Sequence, residues 1–123
     1  MKLLIVGSRS ITDFDLSVHV PPDVDVVISG GADGIDRLAE RYADSHGLSK
    51  YVLRPQYSLY GRAAPLKRNA EMVELADAVL AVWDGRSKGT AYTVQYAKQK
   101  NKPVTIVRCG SPASPREKRS FSP

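Results

Sequence analysis

Three short stretches of this chain are built on glycine, and two of them add cationic and hydroxyl side chains. They are Gly7-Ser8-Arg9, Gly30-Gly31-Ala32-Asp33-Gly34 and Asp84-Gly85-Arg86-Ser87-Lys88-Gly89-Thr90. Glycine lets an anion approach the backbone closely, because no Cβ stands in the way. Where such a turn opens a helix, free amides and the helix dipole add attraction for phosphate. Glycine at a strand-to-helix turn also has a purely steric use, and Gly7 alone fits either role. The Gly30–Gly34 run holds more glycine than one turn needs. Lys67 and Arg68 fall in the first turn of an expected helix, where a cation is unfavourable unless it reaches toward an anion; otherwise they are an ordinary exposed pair. Arg68 and Asn69 together offer a planar fork for phosphate and an amide for a sugar or base.

The carboxylates leave more than one role open. Asp84 either contacts a ribose hydroxyl or ties down its own turn. Asp33 and Asp36 have the spacing of an acidic capping box, which makes Asp33 a helix cap and sets Asp36 over the glycine turn. Ser87 reads as the cap of the next helix. The ligand-binding candidates are therefore Gly7, Ser8, Arg9, Gly30, Gly31, Ala32, Asp36, Lys67, Arg68, Asn69, Asp84, Gly85, Ser87, Gly89 and Thr90. If a reaction is catalysed, Arg68, Asp36 and Asp84 are the candidates to carry it.

Other chemistries find no support. Neither the G-x-G-x-x-G spacing of dinucleotide enzymes nor the Walker pattern G-x-x-x-x-G-K-[ST] occurs. There is no Gly-x-Ser-x-Gly elbow for a serine nucleophile. His19 and His46 stand far apart, without Cys or Glu at metal-ligand spacing, so no metal and no cofactor is expected. Trp83 and Met72 read as core, and Tyr57 and Tyr60 as residues that either stack on a base or pack a loop.

The elements that must position these residues follow from hydropathy patterning. Short β-branched runs at Leu3–Val6, Val24–Ser29, Lys50–Arg54, Ala78–Trp83 and Val104–Val107 read as parallel strands buried on both faces. Helical spacing predicts helices over Gly34–His46, from Pro65 to about Ala76, and over Thr90–Lys100. Leu66, Ala70, Val73 and Leu75 are expected to face inward on the second, and Gly47 stops the first. A short helix is expected within Ile11–Val20. Strands alternating with helices imply an α/β, Rossmann-like doubly wound sheet of about five parallel strands in the order 3-2-1-4-5.

With 123 residues the chain supports one domain. That domain is expected over 1–109, followed by a disordered basic Ser/Pro-rich tail over 110–123. Residues 1–44 hold four Lys/Arg against eight Asp/Glu, whereas 45–123 hold fourteen against five. Such a gradient suits a polyanionic ligand, or is a solvated surface with a basic tail. Cys109 is the single cysteine and points to a reducing compartment. No apolar run approaches the ~18 residues that span a membrane. The start Met1–Gly7 has too short an apolar run for a signal peptide. A cytoplasmic protein without a membrane partner is expected.

Read in order, Val6-Gly7-Ser8-Arg9, Ile28 to Asp36, Tyr60-Gly61, Arg68-Asn69-Ala70-Glu71-Met72 and Trp83 to Thr90 resemble the YspA-type branch of the SLOG superfamily. The LOG and DprA proteins belong to the same superfamily. The resemblance covers residues 3 to about 107. It implies a Rossmann-like fold that binds nucleotides or nucleotide-derived ligands, and a possible homodimer through the outer helices. LOG members are phosphoribohydrolases that release a base from a nucleoside monophosphate. They use an Arg near a helix start and a Glu in a Pro-Gly-Gly-x-Gly-Thr-x-x-Glu motif. Arg68 matches the arginine, and Gly89-Thr90 the Gly-Thr pair. The position of the glutamate is Thr93, whose hydroxyl neither stabilises an oxocarbenium-like sugar nor activates water well.

The leading expectation is thus a binding protein that senses or sequesters a nucleotide or nucleotide-derived molecule at the carboxyl edge of its sheet. The alternative is an N-glycosidic phosphoribohydrolase whose carboxylate comes from Asp36 or Asp84. The third is DprA-like nucleic-acid binding, which the scarcity of stacking aromatics disfavours.

Overall fold

The computed structural model describes residues 1–109; the tail expected over 110–123 lies outside them. Five strands, β1 (Lys2–Gly7), β2 (Val26–Ser29), β3 (Ser49–Val52), β4 (Ala78–Trp83) and β5 (Val104–Arg108), form one parallel sheet in the order β3-β2-β1-β4-β5. The helices are α1 (Ile35–Ser45), the short α2 (Tyr57–Tyr60), α3 (Ala64–Leu75) and α4 (Lys88–Gln99), with a single 3-10 turn at Gly61–Ala63 before α3. Fold class and strand order are as the sequence pattern predicts.

Alternation along the strands divides the core in two. Leu3, Ile5, Val27, Leu80 and Val82 point to one face, where Ile35, Ala39 and Ala43 of α1 cover them. Leu4, Val6, Ile28, Val79 and Ala81 point to the other, under Met72 and Val73 of α3 and Val94 and Ala97 of α4. The side chains of Leu4, Ile5, Ile28 and Leu80 are essentially fully buried, each stabilising the fold by about 1.5–3 kcal/mol. Full burial on both faces holds for β1 and β4 and fades at the edges, because β3 and β5 each pair on one side only and expose most of their residues.

Two local expectations need correction. No helix forms within Ile11–Val20. The Asp15 carboxylate instead accepts from the Ser17 amide (3.0 Å) and hydroxyl (2.6 Å), a local bond that competes with helix formation. Ile11, Leu16 and Val24 still bury themselves on the α1 face, so an irregular crossover does the covering of a helix. In α3, Leu66 (44% exposed) and Leu75 (43%) face outward. Asn69, Met72, Val73 and Ala76 hold the inward stripe, at the i, i+3, i+4, i+7 spacing of a helix face. Pro65 is the second residue of α3, where its missing N–H still leaves no intrahelical bond unmade. Met72 is core, whereas Trp83 is only half-buried: its indole N–H donates to the Ser87 carbonyl (3.1 Å) and Arg108 lies 5.5 Å above its ring.

Candidate functional site

Order 3-2-1-4-5 reverses between β1 and β4, which pair directly through Gly7↔Val82. The crossover after β1 runs to the α1 face, while α4 after β4 packs on the other. Their carboxyl ends therefore part around a crevice, the usual ligand position of an open α/β sheet. A cleft of about 550 Å³ opens there, within the range of small-molecule sites.

Gly7, Ser8, Arg9, Ala32, Asp36, Arg68, Asn69, Asp84, Ser87, Gly89 and Thr90 all line this cleft. Gly30, Gly31, Lys67 and Gly85 stand outside its lining. The Gly30 carbonyl accepts from Arg68 (2.6 Å) and that of Gly31 from Arg54 (3.1 Å). Lys67 is exposed, with its ammonium 5.8 Å from the Tyr60 ring centroid. Gly85 lies beneath the Arg108 guanidinium. Sequence reasoning missed Ser10, Arg86, Lys88 and Thr93, along with the apolar wall of Val6, Pro65, Leu66 and Met72. Arg86 and Lys88 sit inside the third glycine turn, so spacing could have found them.

Ser8 is the hub of the floor. Its amide donates to Val82 (3.1 Å), its carbonyl accepts from Ile11 and Ile35 (both 3.3 Å), and its hydroxyl accepts from the Asp84 amide (2.9 Å). Asp84 ties down its own turn: one oxygen accepts from the amides of Arg86 (2.8 Å) and Ser87 (3.0 Å), the other from the Ser10 hydroxyl (3.3 Å). Burial opposes its ionisation, but these amides and the Ser8 and Ser10 hydroxyls outweigh it and hold the carboxyl below its usual range. Ser87 caps α4 as expected, its hydroxyl accepting from the Thr90 amide (3.3 Å).

Asp33 does not cap α1. Gly34 holds that position at φ 74°, ψ −128° with no side-chain cap bond, and Asp33 instead pairs with Arg37 (3.0 Å) at an exposed i,i+4 site. A side chain at residue 34 would meet the Ser8 and Arg9 carbonyls at 2.5 Å, so the close approach of α1 to the first turn requires glycine. Asp36, in the first turn of α1, is 7% exposed and accepts from the Ala32 amide (3.2 Å). Burial pushes its carboxyl up to about 6; the Ala32 amide and Arg68 oppose this, and Glu40 adds to it.

Arg68 is held by three bonds: Nε donates to Asn69 Oδ1 (2.8 Å), and Nη1 to the carbonyls of Gly30 (2.6 Å) and Leu53 (3.2 Å). Burial lowers its pKa, Asp36 and Tyr57 oppose that, and Arg9 adds to it. Arg9, Arg68, Arg86 and Lys88 line the cleft and form no salt bridge among the described residues, although Asp36 acts on Arg68 from nearby. Thr93, where the resemblance puts a glutamate, is buried and donates its hydroxyl to the Gly89 carbonyl of its own helix (2.9 Å). No cluster of three or more His, Cys, Asp or Glu among the described residues could hold a metal ion. No helix among them is long and apolar enough to cross a membrane.

Gly89 differs from the other described glycines. Its φ is not positive, and a Cβ there would meet nothing closer than Asn69 Nδ2 at 3.9 Å. Neither backbone nor packing demands glycine at this second residue of α4, which borders the cleft.

No family model and no solved structure matches the chain. It is 34% identical to the Gene 61 protein of Mycobacterium phage D29 over 116 residues, which span 84% of this chain and 93% of that protein.

Proposed function

The chain belongs to the family of the Gene 61 protein of Mycobacterium phage D29, and we propose that it binds a nucleotide or nucleotide-derived ligand, with phosphate at the α4 N-terminus. The observation that carries this reading is Gly89, a glycine the fold does not need, set on a helix N-terminus at the cleft wall. The cations of the cleft support the reading: Arg9, Arg68, Arg86 and Lys88 outnumber the two carboxylates that line it, Asp36 and Asp84, and form no salt bridge among the described residues. Dipole, free amides and the excess of cations all favour a phosphate there. The likeness to SLOG proteins agrees in ligand class. The apolar wall of Pro65, Leu66 and Met72 suits the less polar part of such a ligand.

The test is a thermal-shift panel of nucleoside mono-, di- and triphosphates, cyclic nucleotides and dinucleotides. A ligand at ~100 times its dissociation constant stabilises by ~2.7 kcal/mol, which raises the melting temperature by several degrees. The control is Gly89→Asp. A carboxylate in the first turn favours the helix dipole and so keeps the fold, yet it repels phosphate. A shift present in the wild type and absent in this variant supports the site. A flat response to the whole panel, with salt-sensitive binding to single-stranded DNA, would overturn it in favour of nucleic acid.

A second reading has its own observation. Asp36 is a cleft-lining carboxyl whose pKa of about 6 suits acid–base work near neutrality. In phosphoribohydrolysis it would take a proton from water attacking C1′, as the bond from C1′ to the base nitrogen breaks and the base leaves with that electron pair. Asp84 is held by its turn and ionised, so it fits this role less well. Chromatographic detection of free base and ribose 5-phosphate, abolished in Asp36→Asn, separates enzyme from binder.

A further inference from the structure

We propose that Asn69, oriented by Arg68, is the side chain that grips the ligand's phosphate, and that Arg68 acts mainly through it as a positioning residue. The inference rests on the reading of the cleft as a phosphate site and names the donor within it.

A guanidinium has only donors, so the 2.8 Å bond from Arg68 Nε must end on the amide oxygen of Asn69. That bond settles which way the amide faces: Oδ1 toward Arg68, Nδ2 away from it. Asn69 is 7% exposed and lines the cleft, and its Nδ2 makes no hydrogen bond among the described residues. A buried amide nitrogen with two free N–H groups is costly to leave unsatisfied. Arg68 is itself anchored by the Gly30 and Leu53 carbonyls, so the amide is held rigidly.

Gly89 borders the same cleft, and the one atom that a Cβ built on it would approach within 4 Å is that nitrogen, at 3.9 Å. Ser87 caps the Thr90 amide, while the first two amides of α4, those of Lys88 and Gly89, have no bond of their own. An atom lodged between Asn69 and the start of α4 therefore meets donors on both sides. The acceptors beside them already make local bonds, the Ser87 and Thr90 hydroxyls with each other (3.0 Å) and the Gly89 carbonyl with Thr93 (2.9 Å), so donors outnumber free acceptors here. A phosphate oxygen, which only accepts, fits this donor set. Arg68 keeps Nη2 for longer-range attraction.

Side-chain amide spectra of the ¹⁵N-labelled full chain test this, and they are simple because the sequence has two asparagines and three glutamines. Inorganic phosphate and AMP should each move the Asn69 NH₂ pair, and adenosine should not. Arg68→Lys should move it in the ligand-free protein. Asn69→Asp keeps an acceptor for Arg68 Nε and adds a negative charge, so it should weaken AMP by about 10-fold or more, at least the effect of losing a hydrogen bond to a charged group. Asn69→Ser, which adds no charge, should weaken it by at least about 10-fold on the same ground. If the wild type binds AMP and both variants bind it equally well, or adenosine but not phosphate moves the amide, the role of Asn69 is overturned while the site stands. An Asn69 amide unmoved by Arg68→Lys overturns the positioning role. A wild type that binds neither AMP, phosphate nor any of the nucleotide panel overturns the inference together with the site.

Discussion

Replacing Asp36 by Asn removes a buried carboxyl whose pKa is pushed up to about 6 in the fold, from an ordinary value of 3.8. Because the folded pKa is the higher, the native state binds more protons than the unfolded chain between these values, and stability falls as pH rises through them. Integrated over the titration, the cost of ionising Asp36 is below about 1 kcal/mol at pH 4 and about 3 kcal/mol at pH 7. Arg68 and the Ala32 and Gly30 backbone favour its ionised form, while burial and Glu40 oppose it. Asparagine keeps an oxygen for the Ala32 amide and cannot ionise. Relative to wild type, Asp36→Asn should therefore gain about 2 kcal/mol between pH 4 and pH 7, on the order of 10 °C in melting temperature for a domain of this size. Thermal melts of both proteins across pH 4–8 measure it. A stability difference that does not change with pH would refute the reasoning, because it would mean that Asp36 ionises as freely in the fold as outside it.

Gly34→Ala should fail to fold or lose several kcal/mol, since residue 34 lies in a region nearly restricted to glycine and a Cβ would meet two carbonyl oxygens at 2.5 Å; urea unfolding of the expressed protein decides this. Ser87→Ala should cost about 1 kcal/mol by uncapping α4, read as a lower urea midpoint with an unchanged slope. Asp84→Asn should act with the opposite pH sign to Asp36→Asn. The Asp84 carboxyl titrates below its usual value, so it stabilises at neutral pH and that contribution fades as pH falls below about 3.8. The variant should melt lower than wild type at pH 7, and the gap should close in acid.

The sheet was legible because its apolar runs are long and β-branched where they matter. Leu3–Val6 and Ala78–Trp83 became the central pair. Positions that depend on tertiary partners were not legible. Leu66 and Leu75 looked apolar enough to face inward, yet their register on α3 puts them outside and gives the inner stripe to Asn69 and Met72. The helix expected near Asp15 lost to a side-chain turn bond. Most candidate site residues gather at the cleft because glycine turns mark strand ends whatever the helix packing. The division of labour among them was hidden: Asp84 holds its turn, Gly30 makes room for Arg68, and Asp33 pairs outward rather than capping. Only coordinates reveal that Gly89 is unneeded by the fold, because that judgement requires knowing what a Cβ would touch.

Backbone amide shift mapping with the tightest nucleotide of the panel tests the central claim most directly. The account predicts that the largest changes fall on Gly7–Ser10, Ala32 and Lys88–Thr90, around the carboxyl ends of β1 and β4. Changes confined to another face, such as the exposed edge of β5, would contradict it.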